Sequence, residues 1–193
     1  MHTGTNDNEI ITNVLAGNYQ AYAGLVDRYQ QYVFTLAFRM VKNREDAEEV
    51  AQDSFVKAYK YLRDFRGDSK FSTWLYTIVN NTGISFLRKK KLDTYSLDNE
   101  KVFELADSLG STMKADLVEQ KSKISMVNQA IALLSPDDAT IITLFYKAEQ
   151  SLEETAQVLG IEMNAAKVRL HRARARLKEK METYFPEEIQ NLN

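Results

Sequence analysis

Cysteine is absent from this sequence of 193 residues, which excludes both a disulfide framework and a metal site built on thiolates. Only two histidines occur, His2 and His171, and they are too few to ligate a zinc ion. The sequence also lacks a glycine-rich phosphate loop, and no histidine accompanies a nucleophile or a pair of carboxylates. We therefore expect a protein that is not an enzyme and that uses no metal and no cofactor.

Long apolar runs are absent as well. No stretch reaches the roughly eighteen apolar residues that a membrane span requires. The stretch MHTGTNDNEI at the start shows neither the basic part nor the apolar part of a signal peptide. We expect no membrane insertion, no export and a cytoplasmic location. The apolar fraction of 44% supports a folded core, in one ordinary domain or two small ones.

Residues that break helices are scarce, since the sequence has seven glycines and two prolines. Apolar residues recur with periods of about 3.6, and no alternating strand pattern is evident, so we expect an all-α fold. The periodicity predicts helices near 7–16, 20–41, 44–62, 70–90, 115–134, 136–148, 151–159 and 163–183. Residues 92–114 lose the period and gain acids, serine and glycine. We predict two small helical domains, 1–91 and 115–193, joined by an exposed acidic linker over 92–114.

The formal net charge of -2 conceals a sorting of charge along the chain. Residues 92–119 carry two basic and seven acidic side chains, whereas NAAKVRLHRARARLKEK, residues 164–180, holds seven lysines and arginines. Such a local excess of positive charge favours binding to a polyanion even when the isoelectric point is acidic. A basic helix end that only faces solvent is the alternative explanation.

The residues around this basic stretch carry the signals of a helix-turn-helix. Ser151 and Glu154 form a capping box, Ala156 is small enough to let two helices approach, and Gly160 permits the turn between them. At about 100° per residue, the following helix has one apolar stripe, which we assign to the core: Met163, Ala166, Leu170, Ala173, Leu177 and Met181.

The opposite side of that helix is basic, and it divides into two groups. Four residues near the amino end point outward: Lys167, Val168, His171 and Arg172. Three arginines lie on the flanks or farther along: Arg169, Arg174 and Arg176. This order is typical of a recognition helix, whose first turns read base edges in the major groove while flanking cations contact phosphates.

The predicted helix over 44–62 has an apolar core stripe and a mixed opposite side. That side presents Glu49, Gln52, Asp53, Val56 and Lys60. Acids near the helix start stabilise its dipole, which is a purely structural explanation for some of them. Because that explanation leaves the outward Val56 without a role, docking against a partner helix is the second explanation.

The segment over 63–91 combines an aromatic core face, to which we assign Trp74, with a polar and basic face. That face presents Thr73, Thr77, Asn80, Asn81 and Ile84, and the basic residues at the end of the helix include Arg88, Lys89 and Lys90. The turn FRGDS, residues 65–69, offers backbone donors beside an aromatic ring. This pattern indicates contacts to bases and phosphates of a nucleic acid, with a solvated helix end as the alternative.

Two long segments together resemble the bacterial sigma factors of the extracytoplasmic-function group, which direct RNA polymerase to promoters. DAEEVAQDSFVKAYKYLRDFRGDSKFSTWLYTIVNN resembles the second region of these sigma-70 family proteins. LLSPDDATIITLFYKAEQSLEETAQVLGIEMNAAKVRLHRARARL resembles their fourth region. The resemblance implies a four-helix bundle followed by a helix-turn-helix domain. It also implies three partners: core RNA polymerase, promoter DNA and an anti-sigma factor.

The resemblance further implies roles for individual residues. The surface that docks on the clamp helices of the largest polymerase subunit comprises Glu49, Gln52, Asp53, Val56, Lys57 and Lys60. The loop that captures a base flipped from the minus-ten element comprises Phe65, Arg66, Gly67, Asp68 and Ser69, with Asn81 beside the melted strand. The minus-thirty-five element is read by Lys167, Val168, His171 and Arg172. The flap of the second-largest subunit is a further expected contact, and the acidic linker is expected to run toward the RNA channel.

The sequence departs from the family at several positions. Ala165 and Ala166 stand where the family often has Thr-Val, and Val168 stands where it often has Ser, so hydroxyl contacts are missing and no promoter sequence is implied. Phe145 replaces an Arg of some members, and Ser85 replaces a common Asp. A stand-alone helix-turn-helix regulator is the alternative function. It would need a dimer interface or an effector pocket in the first domain, and it would not bind core polymerase.

Overall fold

The computed structural model describes residues 6–94 and 116–186, with side chains over 6–92 and 124–186. All regular structure in these ranges is helical, which confirms the all-α fold. Within the same ranges, no helix is long and apolar enough to cross a membrane. The described side chains also include no cluster of three or more histidine, aspartate or glutamate residues that could hold a metal ion.

The helices follow the predicted order closely. They are α1 (Asp7–Leu15), α2 (Tyr22–Val41), α3 (Arg44–Lys60), α4 (Phe71–Thr94), α5 (Asp116–Ala132), α6 (Pro136–Ile142), α7 (Leu152–Leu159) and α8 (Met163–Tyr184). Short 3-10 turns at Tyr19–Ala21 and Leu62–Asp64 extend the predicted second and third helices. A π-helical turn at Thr143–Lys147 continues α6. The helix predicted over 136–148 is therefore α-helical in its first half and π-helical in its second half.

The end of α4 differs from the prediction. The helix continues to Thr94, so the first three residues of the predicted linker over 92–114 are helical. The reason is local, because no glycine or proline lies between Gly83 and Gly110 to end the helix. Residues 95–115, which make up most of the predicted linker, lie outside the described residues.

Capping residues set most of the other helix ends. Asn43 and Ser135 accept hydrogen bonds from backbone N–H groups in the first turns of α3 and α6. Ser151 and Glu154 form the predicted capping box at the start of α7, with Ser151 N donating to the Glu154 carboxylate at 2.7 Å. Gly160 ends α7 in the left-handed conformation, at φ 63° and ψ 36°, as its position in the sequence predicts.

The first bundle, α1 to α4, is built around apolar residues of α2. Leu25 and Val33 on α2 are fully buried, together with Val50 on α3 and Leu75 on α4. The core stripe predicted from Ala47 to Leu62 is confirmed, because five of its six members are buried and the sixth, Phe55, is half-buried. Gly83 lets α4 lie close to α2, because a Cβ there would be 2.7 Å from Met40 Cε.

The second bundle, α5 to α8, has its own core, in which Ile131 and Ile142 pack against Leu170 of α8. Three members of the stripe predicted on α8 are buried: Ala166, Leu170 and Ala173. Met163 is an exception: we assigned it to the core, but it is 53% exposed. It is the first residue of α8, and the neighbouring helices do not cover that turn.

The two bundles pack directly against each other. α6 and the turn at Thr143–Lys147 contact α2, while α7 contacts α4. Two residues of the second bundle, Leu144 and Val158, are at most 1% exposed and belong to the hydrophobic cluster of the first bundle. The two halves of the chain therefore share part of one core.

The capping box predicts a measurable contribution to stability. We expect Ser151→Ala to lower the free energy of unfolding by about 1 kcal/mol, because the first turn of α7 loses a side-chain acceptor. Urea denaturation followed by circular dichroism measures the change. Ser85→Ala is the matched control at an exposed position inside α4, and it should change stability by less than about 0.5 kcal/mol. Equal losses in the two variants would contradict the role of the cap.

Candidate nucleic-acid interface

A helix-turn-helix positions the basic helix α8. Ala156 on α7 is 5% exposed, and α7 packs on α8. The turn after Gly160 leads into α8 within three residues, and Ile161 N donates to Ala156 O at 3.1 Å across it. The small residue and the left-handed glycine therefore have the places that the sequence pattern assigned to them.

The outward group on α8 lies where helical spacing placed it. Lys167, His171 and Arg172 are exposed, and Val168 is 50% exposed. They lie opposite Ala166, Leu170 and Ala173, which are buried, so α8 presents this group to solvent as one continuous face. No described side chain forms an ion pair with Lys167 or Arg172.

Two of the flanking arginines are held by carboxylates of their own bundle. Arg169 Nη2 lies 2.6 Å from Asp137 Oδ2, and Arg176 Nη1 lies 2.6 Å from Asp138 Oδ2. The Asp138 side chain is only 5% exposed, and it also accepts a hydrogen bond from Ser135 Oγ at 2.9 Å. In this structure the acidic first turn of α6 therefore binds both arginines, for which we predict contacts to phosphates.

Arg174 has a different environment. Its guanidinium carbon lies 5.3 Å from the ring centroids of both Phe145 and Tyr146, in the π-helical turn. The two rings contact each other edge to face. Arg174 therefore makes cation–π contacts within the second bundle, and Phe145 has a structural role at the position where some family members carry Arg.

The loop over 65–69 projects from the start of α4. Arg66, Gly67 and Asp68 are exposed, and Gly67 has a positive φ of 78°. The half-buried Phe65 anchors the loop, because its ring packs 5.4 Å from Trp74 and 5.7 Å from Phe71, centroid to centroid. Ser69 is half-buried at the other end. Trp74 is likewise half-buried against the first core, as we expected.

The polar face of α4 is only partly open. Asn81 is exposed, as are Arg88, Lys89 and Lys90, although Lys90 pairs with Asp46. The half-buried Thr77 donates its hydroxyl hydrogen to Thr73 O at 2.9 Å. Thr73 is fully buried and Asn80 is 5% exposed, so the structure contradicts our expectation that these two residues face outward. α4 lies between the two bundles, and its spacing alone does not reveal this.

The outer face of α3 is open and mixed, as predicted. Glu49, Gln52, Asp53 and Lys60 are exposed, and Val56 is 66% exposed. Lys57 differs from the prediction: it is half-buried, and its Nζ donates to Thr82 Oγ1 on α4 at 3.2 Å. Lys57 thus holds α3 and α4 together, whereas its neighbours along α3 are available to a partner.

Sequence reasoning missed a cationic cluster between α2 and the second bundle. Arg39 is 8% exposed, and burial lowers the pKa of its guanidinium. Burial and the Arg39 charge also lower the pKa values of Lys42 and Lys147. No sequence signal identifies this cluster, because Lys147 lies more than a hundred residues after Arg39 and the bundles must pack to bring them together.

The two aspartates of α6 should differ in their effect on stability. We expect Asp138→Ala to cost about 1 to 3 kcal/mol in the free energy of unfolding, because Arg176 and the Ser135 hydroxyl both lose their buried acceptor. Asp137, whose side chain is 81% exposed, is the matched control, and Asp137→Ala should cost about 1 kcal/mol at most. Chemical denaturation of the two variants measures the difference, and similar losses would contradict this assignment.

Comparison with known proteins identifies relatives of both halves of the chain. The family described as Sigma-70 region 2 matches residues 25–92, and the family described as Sigma-70, region 4 matches residues 124–177. The ECF RNA polymerase sigma factor SigW of Bacillus subtilis (strain 168) is 35% identical over 181 residues, covering 89% of this chain and 94% of that protein. The ECF RNA polymerase sigma-E factor of Escherichia coli (strain K12) is 32% identical over 182 residues, covering 91% and 94%.

Solved structures show the same arrangement of helices. CnrH, determined in complex with the cytosolic domain of CnrY, superposes with a TM-score of 0.61 at 25% identity, covering 92% of this chain and 98% of that one. The sigma factor RpoE from Bartonella quintana, in complex with the anti-sigma factor NepR, gives a TM-score of 0.69 at 24% identity, covering 84% and 98%. With both sigma regions matched and this identity spanning most of its length, the chain belongs to the extracytoplasmic-function group of sigma-70 family RNA polymerase sigma factors.

Proposed function

We propose that this alternative sigma factor binds core RNA polymerase through the outer face of α3 and contacts promoter DNA through two separate surfaces. One DNA surface is the amino half of α8, and the other is the loop over 65–69 together with the open part of α4. The observation that carries the proposal is the open face of Lys167, His171 and Arg172, which belongs to a helix-turn-helix and has no acidic partner among the described side chains.

For the minus-thirty-five element, α8 has the length and the side chains of a recognition helix. Its 22 residues extend over roughly 33 Å, more than the width of about 12 Å of the major groove. Arg172 has the donor geometry for a guanine, His171 can donate or accept, and Val168 suits a thymine methyl group. Arg169 can exchange its exposed Asp137 for a phosphate at low cost, since surface ion pairs contribute about 1 kcal/mol or less.

For the minus-ten element, the loop over 65–69 is the proposed site of base capture. Extracting a base costs a few kcal/mol of unstacking, which the contacts made to the flipped base must offset. Arg66 and the backbone around Gly67 are exposed and can make such contacts. Phe65 anchors the start of the loop by packing against Trp74. Asn81, Arg88 and Lys89 continue along α4 as contacts to the melted strand and its phosphates.

For core polymerase, Val56 is the proposed anchor on α3. An aliphatic side chain 66% exposed among Gln52, Asp53 and Lys60 forms a small apolar centre with a polar rim, which is the usual composition of a protein interface. Lys57 supports this face from behind through its bond to Thr82 rather than contacting the partner.

An anti-sigma protein is a further proposed partner. The support comes from the structural relatives, since CnrH was solved with the cytosolic domain of CnrY and the Bartonella RpoE with the anti-sigma factor NepR. The likeness of the helical arrangement suggests that this chain offers a comparable surface.

A substitution at Val56 tests the polymerase surface. We expect Val56→Asp to weaken binding to core polymerase about tenfold or more, because it places a charge at the apolar centre of the interface. Ile124→Asp is the matched control at a residue that is 56% exposed on α5. Titration of each purified variant against core polymerase measures the affinity. If Val56→Asp binds core polymerase as tightly as the wild type, this face is not the interface. If the wild type itself does not bind core polymerase, a stand-alone regulator is favoured.

Substitutions on α8 separate base reading from phosphate contact. We expect Arg172→Ala to relax base preference at one upstream position by about 1 to 3 kcal/mol, because a base-edge contact is lost. Arg169→Ala, which removes the proposed phosphate contact, should weaken binding to all promoter variants by the same factor. Promoters mapped by transcript sequencing after overexpression supply the templates, and holoenzyme binding to single-base variants is the measurement. Uniform losses for both variants would refute the assignment of the reading face.

A further inference from the structure

The cationic cluster of Arg39, Lys42 and Lys147 lies where α2 contacts the second bundle. Arg39 and Lys42 are about one turn apart at the end of α2, and Lys147 is the last residue of the π-helical turn that packs against α2. Arg39 is 8% exposed, and both lysines are half-buried. Among the described side chains, no carboxylate forms an ion pair with any of the three.

The hydrogen bonds of the cluster leave several N–H donors unused. Lys42 Nζ donates to Leu134 O at 2.7 Å, and Lys147 Nζ donates to Asn128 Oδ1. Both acceptors are neutral. Arg39 Nε is buried and has no hydrogen-bond partner. Because a lysine offers three donors and an arginine five, the cluster keeps free donors as well as three positive charges.

The lack of a counter-charge at Arg39 contrasts with other arginines of this protein. Arg28 pairs with Asp7, and Arg176 pairs with Asp138, although both arginine side chains are more exposed than Arg39. Burying a charge without a partner costs free energy. Burial accordingly lowers the pKa of Arg39, and burial together with the Arg39 charge lowers the pKa values of both lysines in the cluster. An anion held by the cluster would remove this cost.

We propose that the cationic cluster binds a phosphate group of a small compound, either free phosphate or a nucleotide. A phosphate group carries up to two negative charges and several acceptor oxygens, whereas a carboxylate carries one charge and two oxygens. The planar guanidinium of Arg39 can donate two parallel hydrogen bonds to it, and the lysines add point charges. The small exposed fraction of Arg39 favours a small compound over the backbone of a nucleic acid.

This site goes beyond the proposed function and does not depend on it, because no residue of the cluster belongs to the proposed polymerase or promoter surfaces. α2 supplies two of the cations and the π-helical turn supplies the third, more than a hundred residues later. Only the folded chain brings the three together. Phosphate should therefore bind the folded protein in preference to the unfolded chain, and it should raise the melting temperature as its concentration rises.

Thermal unfolding of the full-length protein tests the site without polymerase or DNA. The protein is purified in a chloride buffer without phosphate or sulfate, and sodium phosphate is added at constant ionic strength. We expect a rise in Tm that follows a single-site binding curve, and no comparable rise with sodium chloride. If phosphate raises Tm no more than chloride does, the proposal is wrong.

Substitutions by methionine, which is unbranched and apolar, locate the site. We expect Arg39→Met to weaken phosphate binding about tenfold or more, because the bidentate donor is lost. In chloride alone, Arg39→Met should melt at the wild-type temperature or above it, since a buried unpaired charge is removed. Lys147→Met should weaken phosphate binding severalfold. Lys178→Met is the matched control on the basic helix α8, where the side chain is 77% exposed, and it should leave phosphate binding unchanged.

Three results with these variants would overturn the proposal. Equal weakening by Lys178→Met and Arg39→Met would show a general attraction to basic side chains. Wild-type phosphate binding by Lys147→Met would remove the π-helical turn from the site. A large loss of stability, or a failure to fold, of Arg39→Met in chloride would show that the guanidinium already has its partners within the chain.

A site-specific readout and a choice of ligands complete the test. In ¹⁵N-labelled protein, the Nε–H resonance of Arg39, assigned by its absence in Arg39→Met, should shift as phosphate is added. An unchanged resonance while Tm rises would place the phosphate elsewhere and overturn the site. GTP binding about tenfold tighter than phosphate would support a nucleotide, and equal or weaker GTP binding would support free phosphate. Guanosine binding as tightly as GTP would overturn the proposal, because the phosphate would then contribute nothing.

Discussion

Burial of helix α2 on several sides is the constraint on which the rest of the structure depends. Leu25 and Val33 are fully buried, and α2 packs against α3 and α4 in its own bundle and against α6 in the other. Because α2 uses its surface for packing, the outer face of α3 points away from it and stays open. The same burial brings Leu144 of the second bundle into the first core, so α2 contributes to the contact between the two bundles.

Some of the basic side chains of α8 stabilise the second bundle, whereas others are available to a ligand. Arg176 binds a carboxylate that is almost fully buried, so moving Arg176 to a phosphate would leave the buried Asp138 charge without its cationic partner, at considerable cost. Arg169 binds an exposed carboxylate and can move cheaply. Arg174 makes cation–π contacts with the rings of Phe145 and Tyr146. In the proposed function, the residues available for base contacts are the outward group near the amino end of α8.

Much of the fold could be predicted because the signals are local. The capping box at Ser151, the left-handed Gly160 and the caps at Asn43 and Ser135 set helix ends through contacts within a few residues. The extension of α4 to Thr94 was missed because an acidic, polar composition suggested a linker, although nothing there breaks a helix. The outward face of α8 was predictable since only one side of that helix is apolar.

The sequence by itself determined the helices, most of their ends, the exposed faces of α3 and α8, and the family to which the chain belongs. Tertiary structure alone decided that Asn80 is buried, that Lys57 turns back to α4, and that Arg169 and Arg176 are paired. The physical reason is separation along the chain. Periodicity describes one helix at a time, whereas Gln150, the hydrogen-bond partner of Thr73, lies 77 residues away and covers a face that the helix alone would expose.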